Sequence, residues 1–284
     1  RGIVQIVHGM AEYVERYENL AEFLTKRGIL VTGEDHLGHG KSVSEGGSFG
    51  YFCEQDPATV VVRDVHRLKK ITEEQYPQVP YIILGHSMGS FIARNYLCRY
   101  GSGIDGAVIV GTGMQSSGLI FASKAMAGIQ KLFCGSKHVS HFIDKAAFGG
   151  YNKRIDSPRT SSDWLSRNTE NVDRYIEDEL CGFTFTVNGF QTLFELIRRL
   201  QKQENLEKVP QNLPILMVSG AEDPVGDYGK GVHKACDSLK RAGVKNITVK
   251  LYENDRHELL NEDDAEVAME DIWQWICKEI PGIA

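Results

Sequence analysis

Short apolar runs alternate along the chain with longer segments in which apolar residues recur at helical spacing. The runs are rich in Ile, Val and Leu and nearly continuous in apolar character, which is typical of strands buried on both faces of a parallel sheet. They comprise residues 3–7, 29–32, 81–84, 107–110, 215–218 and 247–252. Strand followed by helix, repeated in this way, predicts an α/β fold built on a mostly parallel, doubly wound sheet with helices on both faces.

The alternation stops between residues 112 and 203, where helical patterns and polar turns occur without a convincing buried strand. We interpret this segment as an inserted, mainly helical cap. The prediction divides the chain into a first part of the α/β core, the cap and a second part of the core, at residues 1–111, 112–203 and 204–284.

The first helical pattern of the cap is apolar along one side. Its apolar residues are Leu119, Ala122, Met126, Ile129 and Phe133, with Lys124 and Lys131 elsewhere. We expect this face to pack on the domain beneath it. The alternative is a transient contact of the cap with a membrane surface.

Length and composition favour a single globular domain that carries this insertion. With 284 residues, of which 42% are hydrophobic, the chain can bury a large core. The formal net charge is −6 and Lys and Arg are scattered, so no basic surface for nucleic acid is predicted. No motif indicates an obligate protein partner.

The cysteines are widely spaced and form neither a C-x-x-C pair nor a cluster with histidine. They are Cys53, Cys98, Cys134, Cys181, Cys236 and Cys277. This spacing predicts free thiols in a reducing cytoplasm rather than a zinc site or a disulfide framework.

No apolar run reaches the roughly 18 residues that a membrane span needs. Because the chain begins at Arg1 without methionine and enters a strand at once, we expect further residues upstream.

A short motif places a serine between a predicted strand and a predicted helix. The pentapeptide GHSMG at residues 85–89 matches G-x-S-x-G and directly follows the apolar run 81–84. On so sharp a turn, a side chain at either glycine position would collide with the strand or the helix. The turn directs the serine hydroxyl into the cleft, and Ser87 is therefore predicted to be a catalytic nucleophile.

A serine hydroxyl needs an imidazole to accept its proton and a carboxylate to orient that imidazole. Loops at the carboxyl ends of the two last predicted strands supply these groups in the order acid, then histidine. His257 follows the last strand, and we predict it to be the general base. Asp223 precedes a proline that constrains its turn, so we favour it as the acid over its neighbours Glu222 and Asp227.

Acyl transfer also requires N–H donors for the developing oxyanion. The residue after the nucleophile supplies one such amide, here that of Met88. We expect a second from Met10, in the loop after the first strand, because Gly9 allows close approach of the backbone. The alternative is that His8 and Gly9 merely end the strand.

The segment DHLGHGKS at residues 35–42 contains two histidines and an aspartate, which are common metal ligands. The glycine between the histidines indicates a tight turn instead, and serine chemistry requires no metal. We therefore predict structural roles for Asp35 and His39 and no metal. No Gly-rich phosphate-binding motif occurs, so no nucleotide cofactor is predicted.

These motifs together resemble those of the monoacylglycerol lipase and lysophospholipase branch of the α/β-hydrolases. The resemblance is carried by VHGMAE at residues 7–12, Arg16 and Tyr17, the segments 35–42, 85–89 and 219–226, and the loop around His257. It implies the α/β-hydrolase fold with a cap, in which Ser87, Asp223 and His257 form a catalytic triad and Met10 and Met88 supply the oxyanion amides. It also implies a short antiparallel hairpin before Arg1.

The resemblance implies an enzyme that hydrolyses a carboxylic ester of a single-chain lipid, most of all a monoacylglycerol, through an acyl-enzyme on Ser87. Lysophospholipase and short-chain carboxylesterase activities are the alternatives within this class. A ligand-binding homologue without activity is the alternative from another class. The cap differs most from the family pattern, because it carries Trp164, Tyr175 and the aromatic segment 183–185.

Overall fold

The computed structural model describes residues 1–283, which form a six-stranded sheet. The strands are β1 (Gly2–Val7), β2 (Ile29–Gly33), β3 (Tyr81–His86), β4 (Gly106–Val110), β5 (Ile215–Gly220) and β6 (Ile247–Tyr252). They are all parallel and lie in the order β2-β1-β3-β4-β5-β6. The six strands predicted from the apolar runs are confirmed.

Helices cover both faces of the sheet. The α-helices are α1 (Glu18–Thr25), α2 (Pro57–Gln75), α3 (Met88–Tyr100), α4 (Ser117–Cys134), α5 (His141–Phe148), α6 (Thr169–Glu177), α7 (Val187–Leu200), α8 (Gln203–Leu206), α9 (Lys230–Arg241) and α10 (Ala265–Glu279). One apolar layer joins the sheet to α2, α3 and α9, and the other joins it to α1 and α10. This arrangement confirms the doubly wound α/β class.

The two edge strands depart from the expected burial on both faces. Strands β1, β3, β4 and β5 are buried along their whole length, whereas β2 is half-buried after its first residue. In β6, Thr248 and Lys250 are exposed and alternate with half-buried residues. The prediction is wrong there because the covering layer of helices is incomplete at the edge of the sheet.

Residues 112–203 lie between β4 and β5 and contain α4 to α7, with short 3-10 turns between them; α8 begins at Gln203 and follows before β5. Within the described chain this segment contributes no strand to the sheet and makes one isolated antiparallel bridge, between Val139 and Thr186. Helix α7 packs against both α3 and α4, so it connects the segment to the helix that begins at the serine turn.

Helix α4 buries a different set of residues from the expected one. Ile120 and Ala127 are buried, whereas Leu119, Ile129 and Phe133 are more than half exposed. The expectation that these three pack on the core is therefore wrong. The helix is apolar on several sides, so periodicity does not select one buried face. Among residues 1–283, no helix has the length and hydropathy needed to cross a bilayer.

Candidate active site

Ser87 lies on the sharp turn between β3 and α3, with φ 54° and ψ −121°. A residue with a Cβ is strained at such a positive φ. The two glycines of the motif leave no space for a side chain: a Cβ at Gly85 would lie 2.4 Å from the Gly89 carbonyl oxygen, and one at Gly89 would lie 1.9 Å from the Val7 carbonyl oxygen. The turn places Ser87 in the wall of a large cavity.

The structure brings Ser87, His257 and Asp223 together from three loops at the carboxyl edge of the sheet. The Nε2 atom of His257 lies 2.8 Å from the Ser87 Oγ, and its Nδ1 atom lies 3.0 Å from the Asp223 Oδ2. Because a carboxylate can only accept a hydrogen bond, the His257 Nδ1 carries the ring proton. The unprotonated Nε2 can then take the proton of the serine hydroxyl. This arrangement can activate a serine hydroxyl as a nucleophile.

The Asp223 carboxylate is completely buried and has further donors. It accepts hydrogen bonds from the Val225 amide at 2.8 Å and from the Ser219 hydroxyl at 3.2 Å. Such partners compensate a buried charge for the loss of water. The neighbouring acids Glu222 and Asp227 are exposed.

The loop after β1 approaches the serine turn closely. A Cβ at Gly9 would lie 3.1 Å from the Ser87 Cβ and 2.5 Å from the Glu12 Oε1. Met10 and Met88 both line the cavity beside Ser87. Within residues 1–283, neither the Met10 amide nor the Met88 amide donates to a backbone oxygen in a turn, loop or cap. The role of these two amides as oxyanion donors stays a prediction.

A buried ion network supports this loop. The Glu12 Oε1 accepts from the Gly9 amide at 2.6 Å and from the Tyr17 hydroxyl at 2.7 Å, and its Oε2 accepts from Arg16 at 3.0 Å. Arg16 also donates to both carboxylate oxygens of Glu258, at 2.7 and 2.9 Å. Burial opposes ionisation of Glu258, but the adjacent Arg16 lowers the pKa of that carboxyl below its usual value. Arg16 thus connects the loop after β1 to the residue after His257.

His86, the residue before the nucleophile, extends the network. Its Nδ1 lies 2.7 Å from the Tyr17 hydroxyl, and its Nε2 lies 3.0 Å from the His257 carbonyl oxygen. Burial disfavours an imidazolium here, but the hydrogen bond and the charge of Glu12 outweigh burial and raise the pKa of His86. In the sequence, His86 is only a variable position of the G-x-S-x-G motif, and no local signal marks its role in this network.

The cap segment 163–171 is hydrogen-bonded to residues 255–262, which we call the histidine loop. Arg256 Nη1 donates to the Asp163 backbone carbonyl oxygen at 2.7 Å, and the Glu258 amide donates to the Leu165 carbonyl oxygen at 2.6 Å. Asn171 Nδ2 donates to the Glu258 Oε2 at 2.6 Å. The buried Glu262 carboxylate accepts from the Ser166 hydroxyl, the Arg167 amide and the Arg256 amide. This part of the cap therefore fixes the loop that carries His257.

The cavity beside Ser87 has a volume of about 650 Å³. Apolar side chains of α3, α4 and α7 line much of it, including Phe91, Leu119, Ile120, Met126, Leu193 and Phe194. Towards the histidine loop the lining changes to Tyr151, Trp164, Tyr175 and Glu258. The cavity wall therefore combines a large apolar surface with polar groups, and Ser87 lies in this wall.

Three buried histidines, of which His8 directly follows β1, lie close together. The ring centroids of His8 and His36 are 4.1 Å apart, and those of His8 and His39 are 5.3 Å apart. The His36 amide donates to the His8 Nε2 at 3.0 Å. Burial lowers the pKa of His36 to about 4 and that of His39 to about 3, so these rings are neutral at pH 7.

Asp35, from the same segment as His36 and His39, bonds to the backbone. Its Oδ1 accepts from the Val14 amide at 2.9 Å, and its Oδ2 accepts from the Lys41 amide at 2.8 Å. The His39 ring packs among the rings of Phe52, Phe183 and Phe185. Asp35 thus joins two loops, and His39 fills apolar space.

A family model described as "Serine aminopeptidase, S33" matches residues 1–264. The chain is 29% identical to the monoglyceride lipase of Rattus norvegicus over 264 residues, covering 92% of this chain and 77% of that protein. It is 27% identical to the monoacylglycerol lipase of Mycolicibacterium smegmatis over 281 residues, covering 99% and 89%.

The fold is similar to the crystal structure of a thermostable carboxyl esterase from Bacillus coagulans in complex with glycerol. The two structures superpose with a TM-score of 0.92 at 31% sequence identity. The match covers 100% of this chain and 91% of that chain. The similarity therefore extends over the sheet, its helices and the segment between β4 and β5.

Proposed function

Because the chain belongs to the family described as serine aminopeptidase S33, we propose that it hydrolyses esters of single-chain lipids, foremost monoacylglycerols, through an acyl-enzyme on Ser87. It has the α/β-hydrolase fold and is a carboxylic-ester hydrolase. The substrate class is carried by one observation: the Ser87–His257 pair borders a largely apolar cavity of about 650 Å³. A cavity of this size is typical of small-molecule sites, and its apolar part suits an acyl chain.

The first half of the proposed reaction forms the acyl-enzyme. The Ser87 Oγ attacks the ester carbonyl carbon while His257 Nε2 takes the hydroxyl proton, and Asp223 stabilises the resulting imidazolium. The Met10 and Met88 amides donate to the oxyanion as it forms. The C–O bond to the alcohol then breaks, and the departing alkoxide receives its proton from His257.

The second half returns the enzyme to its starting state. A water molecule attacks the acyl carbon while His257 takes one of its protons. The bond to the Ser87 Oγ breaks, the serine regains its proton from His257, and the fatty acid leaves. The names of the rat and mycobacterial relatives support glycerides as the substrates.

A chain-length series tests the proposed substrate class. For monoacylglycerols from C4 to C12, assayed below their aggregation concentrations, we expect kcat/KM to rise by at least about 100-fold, because each buried methylene contributes about 0.8 kcal/mol. Lysophosphatidylcholine of the same chain length and an aminoacyl anilide serve as comparison substrates and should react more slowly. A rate that peaks at C2 to C4 would instead identify a short-chain esterase.

We further propose that the exposed side of α4 binds an anionic lipid surface. Phe121, Leu132 and Phe133 are 77%, 81% and 80% exposed, and an apolar group of this kind marks an interaction surface. Residues 117–145 contain four lysines and one aspartate, and Lys124 is paired with Glu195, so a net positive charge remains there although the whole chain has a net charge of −6. This local positive charge complements anionic lipid headgroups.

Replacing Leu132 and Phe133 together by serine is expected to weaken binding to vesicles of mixed phosphatidylcholine and phosphatidylglycerol by at least about tenfold, because two large apolar side chains no longer enter the lipid. Sedimentation with the vesicles measures this change, and activity on a monomeric ester should persist. Val267→Ser, at an exposed apolar position on α10, is the matched control. Equal binding of all three proteins, or no preference for anionic vesicles, contradicts the proposal.

A further inference from the structure

The polar groups beneath Ser87 are already paired within the protein. Glu12, Arg16 and Glu258 form one ion network, and Asn171 donates to Glu258 at 2.6 Å. A group whose hydrogen bonds are satisfied gains little from a substrate hydroxyl, because an existing bond must first break. An unpartnered polar atom of the cavity wall can instead bond a substrate hydroxyl without breaking an existing bond.

Tyr151 presents such an atom on the side of His257. Its ring contacts that of Trp164 edge-on, at 4.9 Å between centroids, and Trp164 lies 5.1 Å from the His257 ring. All three side chains line the cavity. Tyr151 is half-buried, and within the described part of the chain its hydroxyl has no hydrogen-bond partner. The hydroxyl is not enclosed by the protein, so a ligand in the cavity can reach it and bond to it.

Hydrogen bonds of the backbone at Trp164 and at the next residue hold Trp164 in place. Its amide donates to the Asn152 Oδ1 at 2.9 Å, and Asn152 in turn donates to the Thr160 carbonyl oxygen at 2.7 Å. The next residue, Leu165, accepts from the Glu258 amide. Hydrogen bonds thus join the two ends of the segment between Tyr151 and Trp164, and another attaches it to the histidine loop. We therefore expect both rings to hold their positions without a ligand.

The chemistry of the reaction places the alcohol in the same region. His257 must deliver a proton to the departing oxygen, so the alcohol part of the ester lies beside the imidazole. The walls from α3, α4 and α7 are apolar and suit the acyl chain. We propose that the Tyr151 hydroxyl is a specificity-determining group that hydrogen-bonds a free hydroxyl of a polyol leaving group such as glycerol, an inference that rests on the proposed function.

A pair of dodecanoyl esters tests this inference. 1-Dodecanoylglycerol and ethyl dodecanoate share the acyl chain and the ester, but the ethyl ester has no free hydroxyl. Tyr151→Phe should lower the ratio of their kcat/KM values, glycerol ester over ethyl ester, by about five- to tenfold, the effect of one hydrogen bond. Hydrolysis of the ethyl ester should stay within about twofold of the wild type.

Tyr100→Phe is the matched control, since the Tyr100 ring stacks on His66 at 3.8 Å outside the cavity. It should leave the ratio unchanged. The inference is overturned if Tyr151→Phe leaves the ratio unchanged or lowers both rates equally. It is also overturned if the wild type shows no preference for the glycerol ester, in which case hydrolysis of single-chain esters still stands. If the wild type hydrolyses neither ester, the proposed function fails as well.

Discussion

Ser87→Ala is expected to lower kcat/KM for a monoacylglycerol by roughly 10⁴- to 10⁶-fold, because it removes the atom that would form the acyl-enzyme. The His257 Nε2, now 2.8 Å from the Ser87 Oγ, would have no nucleophile to activate. His257→Ala should cause a similar loss, and the double variant should be little worse, since residues that act as one unit do not contribute additively.

Initial-rate assays and labelling with a fluorophosphonate measure this effect. The wild type should take up one probe per chain and Ser87→Ala none. Ser102→Ala, at an exposed position after α3, is the control and should match the wild type. Residual activity of Ser87→Ala above about 1% of the wild type would contradict the mechanism. A wild type that binds lipid without taking up the probe would indicate a ligand-binding homologue instead.

His39→Asn is expected to make folding less sensitive to acid. Burial holds the pKa of His39 at about 3, whereas an unfolded histidine titrates near 6.5. As pH falls below 6.5, the unfolded wild type gains a proton that the folded protein does not, and stability falls by about 1.4 kcal/mol per pH unit. Asparagine does not titrate and can still donate to the Leu37 oxygen, as His39 Nδ1 does at 3.1 Å.

Urea unfolding between pH 8 and pH 4.5 measures this difference. The free energies of unfolding of the two proteins should converge by about 2–3 kcal/mol over that range. Burial raises the pKa of Glu34 to about 7 and that of Asp255 to about 6. Protonation of these two acids therefore stabilises the folded state on acidification, by the same amount in both proteins. His233→Asn, at an exposed position, should follow the wild type. Parallel curves for His39→Asn would contradict this account.

The strands and the serine turn were predictable because each depends on short-range physics. An apolar run of the right length forms a buried strand wherever it lies in the chain, and the six runs appear as β1 to β6. The backbone at Ser87 requires glycine on both sides, which leaves a pattern of five residues in the sequence. The order of acid and histidine along the chain then indicated Asp223 and His257, although the distances joining them came from the structure.

The cap was less predictable. Its first helix is apolar on several sides, so the sequence could not show that Ile120 and Ala127 are buried while Phe133 is 80% exposed. The edge strand β6 was also less buried than its composition indicated. Burial of a surface depends on which elements cover it, and local periodicity does not carry that information.

The sequence by itself determined the α/β class, the strands, the nucleophile turn and the identities of the candidate acid and base, since local sterics and chain order leave direct traces. Only the tertiary structure decided that Arg16 joins Glu12 to Glu258, and that the Trp164 ring contacts both Tyr151 and His257. Such contacts join residues that are distant in the chain, and many side-chain pairs would satisfy the same local pattern. Packing of the cap on the histidine loop selects among them, because it buries polar groups that must then find partners.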